Sequence, residues 1–201
     1  TGLKTFENFS ELAGVSVKNV SAIFGKNSLR GDLLFTHEGV SGPLIYTISS
    51  IMAREKFPYK IILDCAGEID LQTVLNENPH KSIKNILSDF VPKALAAYIL
   101  VKLGLDEALK GSKINGKVRD EILKSLNSFE IEAIMTSKGG EVVTCGGGSL
   151  DEVNSKTMQS KLVKNLFFCG EVLDIDGFCG GFNLQNCWST GFLAAHGVLE
   201  S

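Results

Sequence analysis

Residues 166–185 read LFFCGEVLDIDGFCGGFNLQ and pass from an apolar run through a glycine-rich turn into a helical pattern. Four apolar residues in succession predict a buried strand at 166–169, and the pattern that follows the turn predicts a helix over Asn183–Leu199. Eleven of the 21 glycines lie between positions 139 and 197. Glycine is used where backbone must approach a ligand or adopt positive φ, so we expect the chemistry of this chain in its last third.

Two features of this stretch favour ligand binding. Glu171 follows the predicted strand, and a carboxylate at that edge of an α/β sheet can accept hydrogen bonds from sugar or ribityl hydroxyls. Gly180 and Gly181 precede the helix, whose N-terminal N–H groups attract negative charge such as that near N1 and O2 of a reduced flavin. The alternatives are a strand end with a helix cap and a generic glycine-rich loop. Asp174 and Asp176 are interpreted as turn caps or ligand-hydroxyl contacts rather than as an acid/base pair.

The rest of the chain is β-rich at first, then helical, then β-rich again. Alternating or continuous apolar residues predict strands, and apolar residues at intervals of three and four predict helices. The predicted elements are strands within 15–35 and at Tyr59–Cys65, Phe129–Thr136 and Glu141–Cys145, a helix from about Ser41 to Lys56, and three helices within 70–128.

Composition excludes several classes of protein. Of the 201 residues 44% are hydrophobic and the net charge is -3, so nothing global points to nucleic acid or to a membrane surface, and no apolar run reaches the length of a membrane span. Five cysteines without a CxxC pair indicate free thiols and a reducing cytoplasm, and the three histidines do not cluster at metal-ligand spacing. Nine basic against five acidic residues within 80–128 are interpreted as a solvated helical surface, with a polyanion or RNA contact as the alternative.

Several strings of residues together resemble one family. They are Leu34–Pro43 (LFTHEGVSGP), Val143–Gly148 (VTCGGG), Glu152–Val153, Thr157–Lys161 (TMQSK), Leu166–Gly177 (LFFCGEVLDIDG) and Gly180–Gly191 (GGFNLQNCWSTG). In this order and spacing they resemble the BaiN/YhiN-like family of NAD(P)/FAD-dependent oxidoreductases, which are two-dinucleotide-binding-domain flavoproteins.

The resemblance implies an α+β fold in which a Rossmann-like FAD domain is interrupted by a large insert. On that map residues 1–137 are the insert, with a β-barrel-like part over 1–66 and 129–137 and a three-helix part over 67–128. Residues 138–201 then return as the C-terminal strand-loop-helix segment of the FAD domain.

The resemblance also implies positions that contact FAD. These positions form three groups. One is a loop near the isoalloxazine, the second is an acidic strand end at the ribityl or pyrophosphate region, and the third is the start of the last helix at the pyrimidine edge. The residues carried over are Thr144, Gly146, Gly147, Gly170, Glu171, Asp174, Gly177, Gly181, Phe182, Asn183 and Leu184.

The chain has no GxGxxG motif, so we expect the adenosine and pyrophosphate half of the site to be missing from it. We therefore expect a fragment that is inactive alone, retains little FAD, needs the missing N-terminal Rossmann segment as its partner, and self-associates through apolar surface left uncovered. The full protein is expected to use FAD with NAD(P)H on a small-molecule or nucleobase-like substrate. His37 is the one weak catalytic candidate, with the alternative that it fixes the turn before the helix; no metal is expected.

Overall fold

A computed structural model describes residues 1–137 and 146–200, and the chain divides into two compact units. The first unit comprises residues 1–49 and 54–140, and the second comprises residues 50–53 and 141–201. The α+β class predicted from the sequence is confirmed, because a closed six-stranded barrel is combined with several helices. The predicted strand Glu141–Cys145 lies outside the described residues.

The first unit carries all the strands of the barrel. In chain order they are β1 Leu3–Thr5, β2 Ser16–Phe24, β3 Asn27–Thr36, β4 Gly39–Ser41, β5 Tyr59–Asp64 and β6 Phe129–Thr136. The α-helices within the described residues are α1 Pro43–Ile51, α2 Leu71–Glu77, α3 Ile83–Leu87, α4 Lys93–Lys102, α5 Gly116–Asn127 and α6 Phe182–Leu199. The strand order around the barrel is β1-β4-β3-β2-β5-β6, and every neighbouring pair is antiparallel.

One predicted helix is shorter than expected, and one observed helix has no counterpart in the prediction. The helix that begins at Pro43 ends at Ile51 rather than near Lys56, because its buried residues stop at Ser49 and the residues that follow are mostly exposed. Helix α2 was not predicted; Asp70 caps it by accepting a hydrogen bond from the Thr73 N–H at 3.1 Å. The three predicted helices within 70–128 correspond to α3, α4 and α5.

The short strand β1 closes the barrel. It pairs with β4 on one side, through Leu3 opposite Val40, and with β6 on the other, through Leu3 opposite Thr136. The closure brings two backbones together at Gly39, where a Cβ atom would lie 2.3 Å from the Leu3 carbonyl oxygen and 2.8 Å from the Thr5 nitrogen. Only glycine fits there, so one glycine of the FTHEGVSGP string is explained by barrel closure.

An aromatic cluster at one end of the barrel joins it to the helices. The rings of Phe9, Phe35 and Phe129 lie within 5.1 to 6.0 Å of one another, and the Tyr98 ring of α4 lies 6.1 Å from that of Phe9. The Lys102 ammonium lies 5.7 Å from the centre of the Phe129 ring. Because the three phenylalanines are buried, this cluster makes the barrel and α4 parts of one hydrophobic core.

Replacement of Gly39 by alanine is expected to lower the free energy of unfolding of the first unit by about 3 kcal/mol. The new Cβ would overlap the β1 backbone, and the φ angle of +156° disfavours any L side chain. Chemical denaturation of the unmodified chain and of the Gly39→Ala variant measures the change in the free energy of unfolding. Gly116→Ala is the control, since a Cβ there meets only the end of the Arg119 side chain at 3.9 Å; an equal loss in both variants would contradict the closure argument.

Stability of the first unit is expected to fall as pH rises from about 9 to about 12. Burial raises the pKa of the Cys65 thiol from 9.0 to about 12, so the folded state holds the neutral thiol more firmly than the unfolded state does. This contribution is complete below pH 9 and is lost as pH rises through the folded pKa, by up to about 1.4 kcal/mol per pH unit. Cys65→Ala should flatten the pH dependence of the free energy of unfolding, as measured by urea denaturation. An unchanged slope between pH 9 and pH 12 would contradict the role given to Cys65.

Candidate functional site

The second unit is built on a small core. Val153, Met158, Leu173 and Ala194 are buried, and four half-buried apolar residues pack against them: Phe167, Phe168, Ile175 and Leu193. Helix α6 approaches the chain closely at Gly197, where a Cβ would lie 2.3 Å from the Thr157 carbonyl oxygen. The inner face of α6 is therefore packed closely against the segment around Thr157 and Phe167.

The glycine loop at 146–148 lies along residues 172–174. The Gly148 N–H donates to the Val172 carbonyl at 2.7 Å, and the Asp174 N–H donates to the Gly148 carbonyl at 3.0 Å. A Cβ on Gly147 would lie 2.6 Å from the Val172 oxygen, so the two backbones touch. The structure thus brings Gly147 beside Asp174, whereas a Cβ on Gly146 would meet no atom within 4 Å. Thr144 lies outside the described residues.

The strand predicted at 166–169 is wrong. Only one isolated antiparallel bridge, between Gln159 and Phe167, forms there, and Leu166 and Cys169 are exposed. A run of four apolar residues does predict extended backbone, but a strand also needs neighbours along its length, which the described residues do not provide. Glu171 consequently does not end a strand; it lies exposed in a 3-10 turn, Gly170–Val172.

A threonine of α6 anchors that 3-10 turn. The Gly170 N–H donates to Thr190 Oγ1 at 2.9 Å, and the same hydroxyl donates to the Asn186 carbonyl at 2.6 Å. A Cβ on Gly170 would lie 3.5 Å from Cys187 Sγ, so Glu171 follows directly on a residue that packs against the middle of α6. The sequence analysis did not identify Thr190. Its spacing could have done so, because a residue four positions before Ala194 and seven before Gly197 lies on the same buried face of the helix.

The loop before α6 is held by one side chain. Asn183 Oδ1 accepts from the Gly177 N–H at 2.8 Å, and Asn183 Nδ2 donates to the Gly177 carbonyl at 3.1 Å. Gly181, with φ of +90°, is the residue before the helix, and it supplies no side-chain cap. The structure therefore brings Gly177 and Asn183 together, and the N-cap residue Gly181 leaves the N–H groups of the first helical turn without a side-chain cap.

These features decide whether the unit fits a flavin. The uncapped first turn of α6 offers backbone donors and the positive end of an 18-residue helix to a negatively charged edge. The side chains of Phe182 and Leu184 are exposed beside it and offer apolar contact. Within residues 1–137 and 146–200, no three His, Cys, Asp or Glu side chains are arranged to hold a metal ion. The donor set fits the anionic pyrimidine edge of a flavin.

His37 belongs to the first unit. It is exposed in the turn between β3 and β4, and across the described part of the chain it makes no hydrogen bond. The neighbouring Glu38 is tied to Lys4 by an ion pair of 2.7 Å, and the Thr5 N–H donates to the Glu38 carbonyl at 3.1 Å. Other residues therefore hold the turn, and a catalytic role for His37 stays a prediction.

Comparison with known proteins assigns the first unit. A family model described as "HI0933-like protein barrel and H2TH domain" matches residues 2–138. The chain belongs to this HI0933-like family. The match covers the closed barrel and helices α1 to α5, so the BaiN/YhiN-like resemblance is supported at the level of this wider family.

Curated relatives of this HI0933-like chain carry two different names. It is 33% identical over 201 residues to "Ribosomal RNA dihydrouridine synthase" of Escherichia coli (97% of this chain, 49% of the relative) and 31% identical over 199 residues to the protein of the same name from Haemophilus influenzae (96% and 48%). It is 27% identical over 207 residues to "3-dehydro-bile acid delta(4,6)-reductase" of Clostridium scindens (96% and 51%). The chain thus spans about half the length of the relatives it matches.

Asn183→Ala is expected to loosen the loop at 177–183, because both hydrogen bonds to Gly177 are lost and each contributes about 1 kcal/mol. Hydrogen exchange of the peptide that contains Gly177 should accelerate about tenfold or more. The control is Gln185→Ala on the same helix, whose side chain bonds only the exposed Ser189. Equal protection in the two variants would mean that Asn183 does not hold the loop.

Proposed function

We propose that this chain is part of an FAD-dependent oxidoreductase that adds hydrogen across a carbon–carbon double bond conjugated to a carbonyl. The observation that carries the proposal is the uncapped, glycine-led start of α6, which lies in the same unit as the Gly170–Val172 turn. Backbone donors aimed at a site of developing negative charge stabilise a reduced flavin without any proton transfer from the protein.

The names of the relatives supply the reaction class. Dihydrouridine is uridine whose ring double bond, conjugated to a carbonyl, has been reduced, and a delta(4,6)-reductase acting on a 3-dehydro compound reduces double bonds of a conjugated enone. In both reactions a hydride adds to the carbon remote from the carbonyl, and a proton adds to the adjacent carbon. A shared flavin chemistry with different substrate pockets accounts for two names within one family.

The residues of the second unit take three roles in this proposal. The N–H groups of Phe182 and Asn183 stabilise negative charge at the pyrimidine edge, and Glu171 accepts hydrogen bonds from ribityl hydroxyls. The loop at Gly146 and Gly147 would pack beside the ring, together with the apolar side chain of Leu184. Bound FAD, once reduced by NAD(P)H, would supply the hydride.

The remaining half of the relatives' length is proposed to supply the dinucleotide-binding GxGxxG that this chain lacks, and the cytoplasm is proposed as its location. Within the described residues no helix has both the length and the apolarity needed to cross a bilayer.

Because it lacks the GxGxxG motif, the 201-residue chain alone is expected to be inactive and to bind FAD weakly.

The full-length gene product that contains this chain is expected to bind FAD and to oxidise NAD(P)H only when a conjugated acceptor is present. Steady-state assays with uridine-containing ribosomal RNA and with a 3-oxo-4,6-dienoic bile acid measure the two substrate classes. Glu171→Gln should weaken FAD binding about tenfold, since a charged acceptor is lost; Glu152→Gln, exposed in the same unit, is the control. A full-length protein that purifies without flavin and cannot be reconstituted with FAD would refute the proposal.

A second candidate function, polyanion or RNA binding, is favoured by one cluster of cations. Lys110, Lys113 and Lys117 are exposed within eight residues around the start of α5, and in the described residues none of them makes an ion pair. By contrast, Lys81, Lys84 and Arg119 of the same helical region each pair with a carboxylate. The two functions combine if the substrate is a base within RNA.

If this cluster contacts RNA, the double variant Lys113→Gln/Lys117→Gln should bind ribosomal RNA more weakly and with a shallower salt dependence. Two lost phosphate contacts lower the slope of log affinity against log salt by about 1.5. Fluorescence anisotropy over a salt series measures this slope for RNA binding by the whole 201-residue chain. Lys26→Gln/Lys56→Gln is the matched control, because both lysines are exposed in the first unit and neither makes an ion pair with a described residue. Equal slopes in both double variants would remove the helical region from the interface.

A further inference from the structure

Thr190 places a hydroxyl in a core that is otherwise apolar. Its side chain is 6% exposed, and among the described residues of the second unit no other polar side chain is buried. Ala194, one turn further along the inner face of α6, belongs to the apolar core of this unit. Burial of a hydroxyl is unfavourable unless it forms hydrogen bonds, and valine, which is similar in shape, would avoid that cost. The threonine therefore requires an explanation.

The helix itself does not explain this hydroxyl. Thr190 Oγ1 donates to the Asn186 carbonyl at 2.6 Å, within α6. A bond of this kind satisfies the hydroxyl proton but slightly destabilises a helix, so it gives threonine no advantage over valine. What only the hydroxyl adds is an acceptor, and the Gly170 N–H donates to it at 2.9 Å. The explanation therefore lies in the turn that begins at Gly170.

The turn that Thr190 holds is fixed at both of its ends. At the first end, Gly170 has a φ angle of +72° and donates its N–H to the threonine. At the other end, Leu173 is buried in the core of the unit, and its N–H donates to the Gly170 carbonyl at 3.2 Å. Glu171 lies between these two residues, so its backbone is held from both sides.

The carboxylate of Glu171 is left free by the fold. Its side chain is exposed, and it makes no hydrogen bond or ion pair with any residue that the structure describes. Glu38 of the first unit, by contrast, is exposed but tied to Lys4 by an ion pair of 2.7 Å. A charged acceptor on a fixed backbone, with no internal partner, is preorganised for a ligand, because the fold and not the ligand orders it.

We propose that Thr190 is a positioning residue, whose hydroxyl fixes the Gly170–Val172 turn so that Glu171 meets the ribityl hydroxyls of FAD in one orientation. Thr190 acts through Glu171 and not by contact with the cofactor. The identity of the ligand rests on the proposed flavin function, whereas the hydrogen bond that holds the turn requires no cofactor. Removal of the hydroxyl should therefore weaken FAD binding only as far as Glu171 contributes to it.

Two substitutions in the full-length gene product that contains this chain separate the hydroxyl from the shape of the side chain. Thr190→Val keeps the branched shape and removes the acceptor, and Thr190→Ser keeps the acceptor. Titration of the apoprotein with FAD, followed by flavin fluorescence, is expected to show a dissociation constant raised about fivefold to tenfold in the valine variant. In the serine variant the dissociation constant should change by less than about twofold, since the hydrogen bond is retained.

Thr47→Val is the matched control. The Thr47 hydroxyl also donates to the carbonyl four residues earlier in its helix, that of Pro43, at 3.1 Å. Unlike Thr190, it accepts no hydrogen bond from a described residue. Its replacement by valine should therefore leave the affinity for FAD unchanged.

A double-mutant cycle distinguishes positioning from a general structural role. If Thr190 acts through Glu171, the variant Thr190→Val/Glu171→Gln should bind FAD about as weakly as Glu171→Gln alone, roughly tenfold below the unmodified protein, because the carboxylate to be positioned is already gone. Two independent losses would instead multiply to about fiftyfold or more. Multiplied losses, or an affinity that Thr190→Val leaves unchanged, would overturn the role of Thr190.

Residue-resolved hydrogen exchange of the unmodified protein without FAD tests the hydrogen bond itself, and it decides the matter even if Thr190→Val does not fold. The Gly170 N–H should exchange at least about tenfold more slowly than the Glu171 N–H, which donates to no described backbone acceptor. A Gly170 N–H that exchanges as fast as its neighbour overturns the role of Thr190, whatever the cofactor. A protein that protects Gly170 but never binds FAD contradicts the flavin function instead.

Discussion

Closure of the barrel by β1 is the contact on which the first unit depends. This strand has only three residues, yet it pairs with β4 on one side and β6 on the other, and so joins the two edges of what would otherwise be an open sheet. The pairing is feasible because Gly39 allows the β4 backbone to approach β1. Without it, both edges would expose unpaired N–H and C=O groups, which invite association with other chains.

The barrel has one consequence for how the FTHEGVSGP string is interpreted. Part of that string serves the fold: Gly39 accommodates β1, and the Ser41 hydroxyl donates to the Tyr46 hydroxyl at 3.1 Å. His37 alone combines exposure with the lack of a hydrogen-bond partner among the described residues. A string that resembles a family signature therefore contains residues kept for closure of the barrel as well as residues available for chemistry.

The elements predicted well are those whose pattern reflects burial on one face. Strand β6 alternates buried and exposed residues over its first six positions, and its predicted bounds Phe129–Thr136 are those observed. The site is predicted less well. The apolar run at 166–169 predicted a buried strand, but hydrophobicity alone does not specify which strands will pair beside it. The role of Thr190 could not be assigned from sequence, because it depends on the Gly170 N–H twenty residues away. Strand β1 is too short to carry a period.

The aromatic cluster of Phe9, Phe35, Phe129 and Tyr98 has a mechanical consequence for the first unit. Since it packs α4 and the barrel into one core, α4 cannot swing relative to the barrel without exposing those rings. Barrel and helix therefore behave as one stiff body, in which a displacement of α4 is transmitted to the strands at Phe35 and Phe129.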